Sequence, residues 1–472
     1  MESTLKVKYE YNQRFLWLIS MTAALGGFLF GYDWVVIGGA KPFYEPFFGL
    51  TTPAAKGWGT SSALIGCMAG ALLCVVTSDK LGRKRLLLFA GFLFSLSALG
   101  TAMSSDFSWF NFYRIMGGVA MGIALNLSPM YIAEIAPPEK RGMFVSINQL
   151  MIMIGVLIAQ IVNWQISLLD KGLPADPTNA MIAQSWSGQF GWRWMFGAEI
   201  IPALLFFFAM FFVPESVRWL VKNGEENKAK SVLERIGGSV YAQNQIDEVK
   251  STVDEEDVAH VNFKELVNPR IMKFIGLGIF LAFLQQWSGL NVIIYYAADI
   301  FQAAGYNLKA MMLNIVVIGS VMVLSVFITL FTVDKLGRKI LLLIGTSAMA
   351  VIYGLIGYCF YVGYTGFVIV LLVLANVMFY SFTLAPLLWV VLSEIFPNRI
   401  RGAAMSIAAF AHWVGNFTLT FSFPTIKESL GWANNFWLYG IICAVGFVVL
   451  YFILPETKGK TLEQIEHELI GD

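Results

Sequence analysis

A chain of 472 residues with 57% hydrophobic and only 13% charged side chains cannot be solvated by water over most of its surface, since soluble domains carry about 25% charged residues. Its net charge of +1 gives no footprint for a nucleic-acid partner. The four cysteines, Cys67, Cys74, Cys359 and Cys443, all fall inside apolar runs without metal-type spacing and read as free structural thiols.

Residues 1–14 are polar, and the first apolar run has no small-residue cleavage pattern, so it reads as a retained span rather than a signal peptide. Crossing ~30 Å of hydrocarbon takes about 20 apolar residues. Runs of that length are predicted at 15–38, 58–78, 86–105, 109–132, 145–167 and 191–213. A polar segment follows at 214–272, where "KNGEENKAKSVLERIGG" has the charge density of short surface helices. Six more runs are predicted at 273–297, 311–333, 340–361, 366–392, 402–424 and 432–454. The expected fold is an all-α polytopic membrane protein with twelve transmembrane helices in two pseudo-symmetric six-helix bundles. The bundles occupy 1–213 and 273–454, joined by a cytoplasmic linker at 214–272 and followed by a cytoplasmic tail at 455–472.

Orientation follows from Lys and Arg in the short loops. The loops after spans 2, 4, 8 and 10 hold Lys80, Arg83, Lys84, Arg85, Lys140, Arg141, Lys335, Arg338, Lys339, Arg399 and Arg401. The opposite loops are assigned only Lys41, Lys56, Lys171, Arg193, Lys309 and Lys427. The first set marks the cytoplasmic side, with both termini and the linker inside. The halves also echo each other in order. "SDKLGRKR" (Ser78–Arg85) returns as "VDKLGRKI" (Val333–Ile340), and "YIAEIAPPEKRG" (Tyr131–Gly142) as "VLSEIFPNRIRG" (Val391–Gly402). "VPES" (Val213–Ser216) returns as "LPETKGKT" (Leu454–Thr461). Ordered echoes half a chain apart indicate duplication, and six-span repeats around a midplane site are a transporter architecture.

These motifs, with "GGFLFGYD" (Gly26–Asp33), "RIMGG" (Arg114–Gly118), "PESVRWL" (Pro214–Leu220) and "QQWSGLN" (Gln285–Asn291), carry a resemblance to a known family. The chain resembles the sugar porter family of the major facilitator superfamily across nearly its full length. That resemblance implies the major facilitator fold and monosaccharide transport by alternating access, with neither catalysis nor a cofactor. No metal cluster, phosphate loop or triad appears in the sequence either. A bacterial inner membrane and a monomer are the expected setting.

A charge within a span costs ~2.5–3.5 kcal/mol on insertion scales, so each is a functional candidate. The predicted spans contain Asp33, Arg114 and Glu199, all in the N-terminal half. Asp33 and Arg114 can neutralise one another across spans 1 and 4, as a static ion pair or as a proton site. In the second case, protonating Asp33 releases Arg114 and changes which arrangement is favoured. Proton-coupled relatives that this chain resembles carry Asp at the "GYD" position, where facilitators commonly carry Asn. Symport is therefore expected, with facilitated diffusion as the alternative.

A sugar asks for something else, because each unpaired buried hydroxyl costs ~1–3 kcal/mol. Amides suit it, and span 7 supplies Gln285, Gln286 and Asn291 around Gly289, followed by Tyr295. Gly289 can loosen the helix there. Gln149 is a further amide, while Trp389 and Trp413 offer flat faces to a pyranose ring. Taken singly, such residues read as packing or interhelical hydrogen bonds. The resemblance instead implies sugar contacts at Gln149, Gln285, Gln286, Asn291 and Trp389. Departures from the family pattern leave the sugar open between pentoses and hexoses. Val156 replaces a possible Gln, Met322 an Asn, "LAPLLW" (Leu384–Trp389) lacks a Gly, and His412 replaces an amide. His412 can bind sugar, titrate, or serve as a structural hydrogen-bond partner.

The resemblance further implies that Asp79, Arg83, Glu134, Arg141, Asp334, Arg338, Glu394 and Arg401 form cytoplasmic ion-pair clusters favouring the outward-open state. Exposed pairs are worth ~0–1 kcal/mol each, which suits a gate that opens every cycle. The linker also admits a different class, a membrane sugar sensor that binds but barely transports; sugar flux into sealed liposomes separates the two.

Overall fold

The computed structural model describes residues 9–258, 269–396, 400–454 and 456. Every regular element among them is helical. The first half contains α1 (Gln13–Phe47), α2 (Pro53–Leu81), α3 (Arg83–Met103), α4 (Phe107–Ile135) and α5 (Arg141–Ser167). Their starts follow local chemistry. Asn12 accepts from the Phe15 N–H, Thr52 from that of Ala55, and Asp106 from those of Ser108 and Trp109, so each caps donors with no partner in the first turn. After a loop bearing α6 (Asn179–Gln184), a π-turn at Ser187–Gly191 leads into α7 (Trp192–Gly197) and α8 (Ile200–Phe212), which together make the sixth span. The linker folds as α9 (Val217–Lys222) and α10 (Glu226–Val258), while 259–268 lie outside the described residues.

The second half contains α11 (Pro269–Trp287), α12 (Leu290–Tyr295), α13 (Ala297–Ala303), α14 (Leu308–Leu336), α15 (Arg338–Tyr361), α16 (Phe367–Phe382), α17 (Leu384–Ile395) and α18 (Arg401–Ile453). Among the described residues, eleven helices are long and apolar enough to cross a membrane, but α18 runs for 53 residues. At 1.5 Å per residue that is about 80 Å, far more than one crossing of ~30 Å. It bends at Gly431, whose φ of +74° is not helical, and so provides spans 11 and 12. The tail at 455–472 lies outside the described residues except Glu456.

Two differences from the sequence reading matter. The tenth span is broken at Thr383, whereas the break of the seventh at Ser288–Gly289 is the loosening expected at Gly289. And α1 continues nine residues past the predicted end at Gly38, so Lys41 is a buried helical residue rather than a loop cation. A hydropathy run stops at a charge, whereas a helix continues wherever protein rather than lipid surrounds that charge.

Within each half the helices pack on one another, α2 on α4 and α1 on α5, then α15 and α11 on α18. The halves meet through α2 with α18 and α5 with α14. These are spans 2 with 11 and 5 with 8, the two copies of one contact under a two-fold exchange of halves. The contacts gather at the end away from the "DKLGRK" turns. There Gly57 approaches the carbonyl of Phe421, Gly38 that of Ile294, and Gly319 the side chain of Gln160, so closely that a Cβ on any of these glycines would collide.

At the other end, the echoed motifs form one device made twice. Gly82 and Gly337 turn the chain with φ of +90° and +87°, a region that favours glycine. Beyond each turn a helix begins with no cap of its own. Glu215 supplies one, accepting from the N–H groups of Arg83 and Lys84 at 3.0 Å. Glu456 does the same for Arg338 and Lys339 at 3.1 and 3.2 Å. The lysines reach back to helix C-terminal carbonyls, Lys84 to Phe211 and Lys339 to Tyr451. Removing the Glu215 carboxylate (Glu215→Ala) should cost about 1 kcal/mol, the usual worth of an N-cap, and lower the unfolding midpoint of detergent-purified protein. Glu456→Ala should do the same, and an unchanged midpoint in both would remove the capping role.

Candidate functional site

The first cluster lies inside the N-terminal half. Asp33, Arg114 and Glu199 are 1%, 3% and 3% exposed. The Arg114 guanidinium on α4 donates through Nη1 to Asp33 Oδ1 on α1, and through Nη2 to the Asp33 carbonyl at 3.4 Å. Its Cζ lies 5.3 Å from the Phe196 ring centroid. Glu199 feels the charges of both partners. Among the described residues, Asp33 Oδ2, Arg114 Nε and Glu199 Oε1 have no hydrogen-bond partner. The expected pairing of spans 1 and 4 is therefore present, and it is left with both acceptor and donor capacity unused. A guanidinium bonded to one carboxylate with a second buried acid nearby has the means to exchange partners or accommodate a proton on either acid.

The second cluster sits where α11 breaks into α12, and Gly289 makes the break with φ of +91°. Gln285 Nε2 donates to the carbonyls of Leu384 at 2.9 Å and Ala385 at 3.2 Å, tying the break to the start of α17. Gln286 lies at the centre. Its Nε2 is 3.2 Å from Gln285 Oε1 and 3.0 Å from His412 Nδ1, and its Oε1 accepts from Asn291. The His412 ring is 5.3 Å from Trp389 and 5.4 Å from Trp413. Gln285, Gln286, Asn291, Tyr295 and Trp413 are buried, whereas Trp389 and His412 are half-buried. The arrangement offers amide and imidazole groups beside indole faces, which is what a ring with hydroxyl edges and apolar faces requires.

Not every sequence-predicted residue joins this cluster. Gln149 on α5 is exposed, and no described hydrogen bond links it to the others. Val156 is fully buried in α5. Phe30, passed over in the sequence, extends the cluster into the N-terminal half, its ring 6.4 Å from that of Trp413. Its signal was available, three residues before Asp33 inside the quoted "GGFLFGYD".

The third group surrounds the turns. Arg83, 3% exposed, bridges Asp79 and Glu134 at 3.1 Å each, and Lys222 of the linker joins Asp79 at 2.9 Å. Glu134 also accepts from Ser216. Arg141 lines a cavity of about 550 Å³ between this group and α9 and α10. In the other half Arg338 reaches Glu394 at 3.2 Å, and Arg401 Nε donates to the Phe396 carbonyl at 3.3 Å. The Asp334 side chain lies outside the described residues, as does Arg399. None of these contacts joins one half to the other, Lys222 and Ser216 entering from the linker.

Comparison with known proteins agrees with this geometry. Residues 19–469 match the sugar (and other) transporter family. The chain is 34% identical to an arabinose-proton symporter of Bacillus subtilis, covering 99% of this chain and 97% of that protein. It is 35% identical to a D-xylose-proton symporter of Escherichia coli, covering 97% and 96%. The xylose transporter XylE of E. coli, solved in an inward open conformation, superposes with a TM-score of 0.83 at 33% identity, covering 96% of this chain and 99% of that one. The chain belongs to the sugar transporter family, and its fold is that of the major facilitator superfamily.

A guanidinium cannot be deprotonated in a protein, whereas a carboxyl can neutralise itself. Asp33→Asn and Glu199→Gln should therefore each leave Arg114 with one acid and yield folded protein. The double variant strands the charge and should cost about 3–5 kcal/mol, read as lost monodisperse protein in size-exclusion chromatography. Equal recovery of the double and single variants would show that Arg114 needs neither acid.

Proposed function

We propose that this sugar transporter family member imports a monosaccharide, a pentose before a hexose, together with a proton across a bacterial inner membrane. The observation that carries the reading is the Asp33–Arg114 pair with Glu199 beside it, a buried titratable cluster one helix away from the amide–indole cluster. The two relatives described above, named for arabinose–proton and D-xylose–proton symport, support the same assignment. The concentration of Lys and Arg at the turns supports a cytoplasmic position for both termini and the linker.

Sugar would sit between Gln285, Gln286, Asn291, His412 and the faces of Trp389 and Trp413, with Phe30 closing it from the other half. Tyr295 lies on the outer side of the break, and Gln149 would engage from α5 as the halves move. Protonation of the Asp33–Glu199 pair would loosen Arg114 and with it α1, the helix that carries Phe30. The within-half pairs of Arg83 and Arg338 are the parts available to Arg141, Arg401 and the echoed acids for bridging the halves when the cytoplasmic end closes. A second reading, uniport without a proton, is favoured by Val156, which removes an amide from the face of α5 that bears Gln149.

Sealed liposomes with an imposed inside-alkaline pH gradient test the assignment. Concentrative uptake of xylose or arabinose is expected, and equilibration without accumulation would select uniport. Asp33→Asn should abolish accumulation while retaining sugar exchange. Gln286→Ala should weaken sugar binding by about 1–3 kcal/mol, roughly 5- to 150-fold, because it removes the centre of the hydrogen-bond network. Unchanged affinity in a direct binding measurement would remove Gln286 from the site.

A further inference from the structure

The joined outer ends of the halves hold an ammonium group that neither the proton cluster nor the sugar cluster uses. Lys41, two turns beyond Asp33 on α1, is 3% exposed. Its Nζ lies 3.1 Å from Glu45 Oε1 on the same helix and 2.5 Å from Asp299 Oδ2 on α13 of the opposite half. The Tyr296 ring, also from the opposite half, is centred 4.9 Å away. Glu45 Oε2 lies 3.8 Å from Lys56 on α2. Lys41, Glu45, Lys56 and Asp299 line a cavity of about 400 Å³ at that end, together with Gln302 and Asp176.

A buried ammonium is costly unless an acid accompanies it. Lys41 has two acids of different kinds. Glu45 is one helical turn away and remains beside it whatever the halves do. Asp299 is available only when α13 meets α1. The Asp299 side chain is also 27% exposed, so water can rehydrate it when the contact opens. The pair is thus placed to be strong while closed and cheap to part, a combination that a static strut does not need.

We propose that Lys41 is a positioning residue for the transport cycle: it stays with Glu45 throughout and gains Asp299 only when the outer ends meet. The Lys41–Asp299 contact then favours the inward-open arrangement and must part before sugar is admitted from outside. This inference rests on alternating access, not on which sugar is carried.

Leu157 on α5 lies against Gly319 of α14 within the joined ends, so a Leu157→Cys reporter becomes accessible to an impermeant maleimide when they separate. In right-side-out vesicles, adding Asp299→Asn should raise the rate of labelling from outside about tenfold, within the range of ordinary conformational couplings. The permuted triad, Lys41→Glu with Asp299→Lys, keeps one cation between two acids and should restore the original rate. Unchanged labelling in Asp299→Asn would overturn the proposal, as would a raised rate that the permuted triad fails to restore. Sugar counterflow in the same vesicles confirms that each variant is folded. Its absence from the parent protein would count against the transport reading, while the labelling still reports on the contact.

Discussion

Arg114 sets the terms for the N-terminal half. A guanidinium carries its charge at every accessible pH, and this one is 3% exposed inside an apolar bundle. Losing both nearby acids would strand that charge, and its bonds to Asp33 tie the position of α1 to that of α4. Helix α1 also carries Phe30 at the aromatic cluster and Lys41 at the junction with the opposite half. Three chemistries therefore ride on one helix within about three turns, Phe30 less than one turn before the acid and Lys41 about two turns after it. Any change in the charge of the Asp33 cluster acts on a rod whose other stations touch the second half.

The amide cluster works by the opposite principle. It contains no fixed charge, and its members are held by one another: Gln285 by the start of α17, Gln286 by His412 and Asn291. The breaks at Gly289 and Thr383 leave irregular backbone in the middle of two spans, tolerated because protein surrounds it. His412 now has a defined neighbour. The imidazole stands between two indoles and against Gln286, so it is part of the hydrogen-bonding floor rather than an isolated titrating group.

Much of this was legible in the chain. Apolar length fixed twelve crossings, the echoes fixed two halves, and rare charges pointed to the Asp33–Arg114 pair before any geometry was known. What could not be read was contact across long separations. "VPES" and "DKLGRK" are visible as repeats, but nothing in their spacing says that the Glu of one caps the helix after the other. Lys41 was misplaced for a related reason. Hydropathy treats a charge as the end of a span, and only tertiary structure reveals that Glu45 and Asp299 accompany it. Gln149 illustrates the converse. Its residue type suits sugar, yet exposure and partners depend on how far the halves have opened, which sequence does not encode.

The distribution of symmetry separates inheritance from function. At the turn end the halves are copies: each has its positive-φ glycine, its capping Glu, its lysine on a helix C-terminal carbonyl and its Arg–Glu pair. Those contacts tie each bundle to its own turn, Glu215 coming from the linker and Glu456 from the tail, and none of them joins one half to the other. Symmetry fails at the centre, where one half keeps charges and the other amides. It fails again at the junction, where Lys41 of one half meets Asp299 of the other. A contact can bias an alternating equilibrium only if it exists in one arrangement and not the other. The copied contacts do not cross between the halves, whereas the Lys41–Asp299 contact does and is placed to meet that condition. The stiffness of this protein thus comes from what duplication preserved, and its direction from what the two halves no longer share.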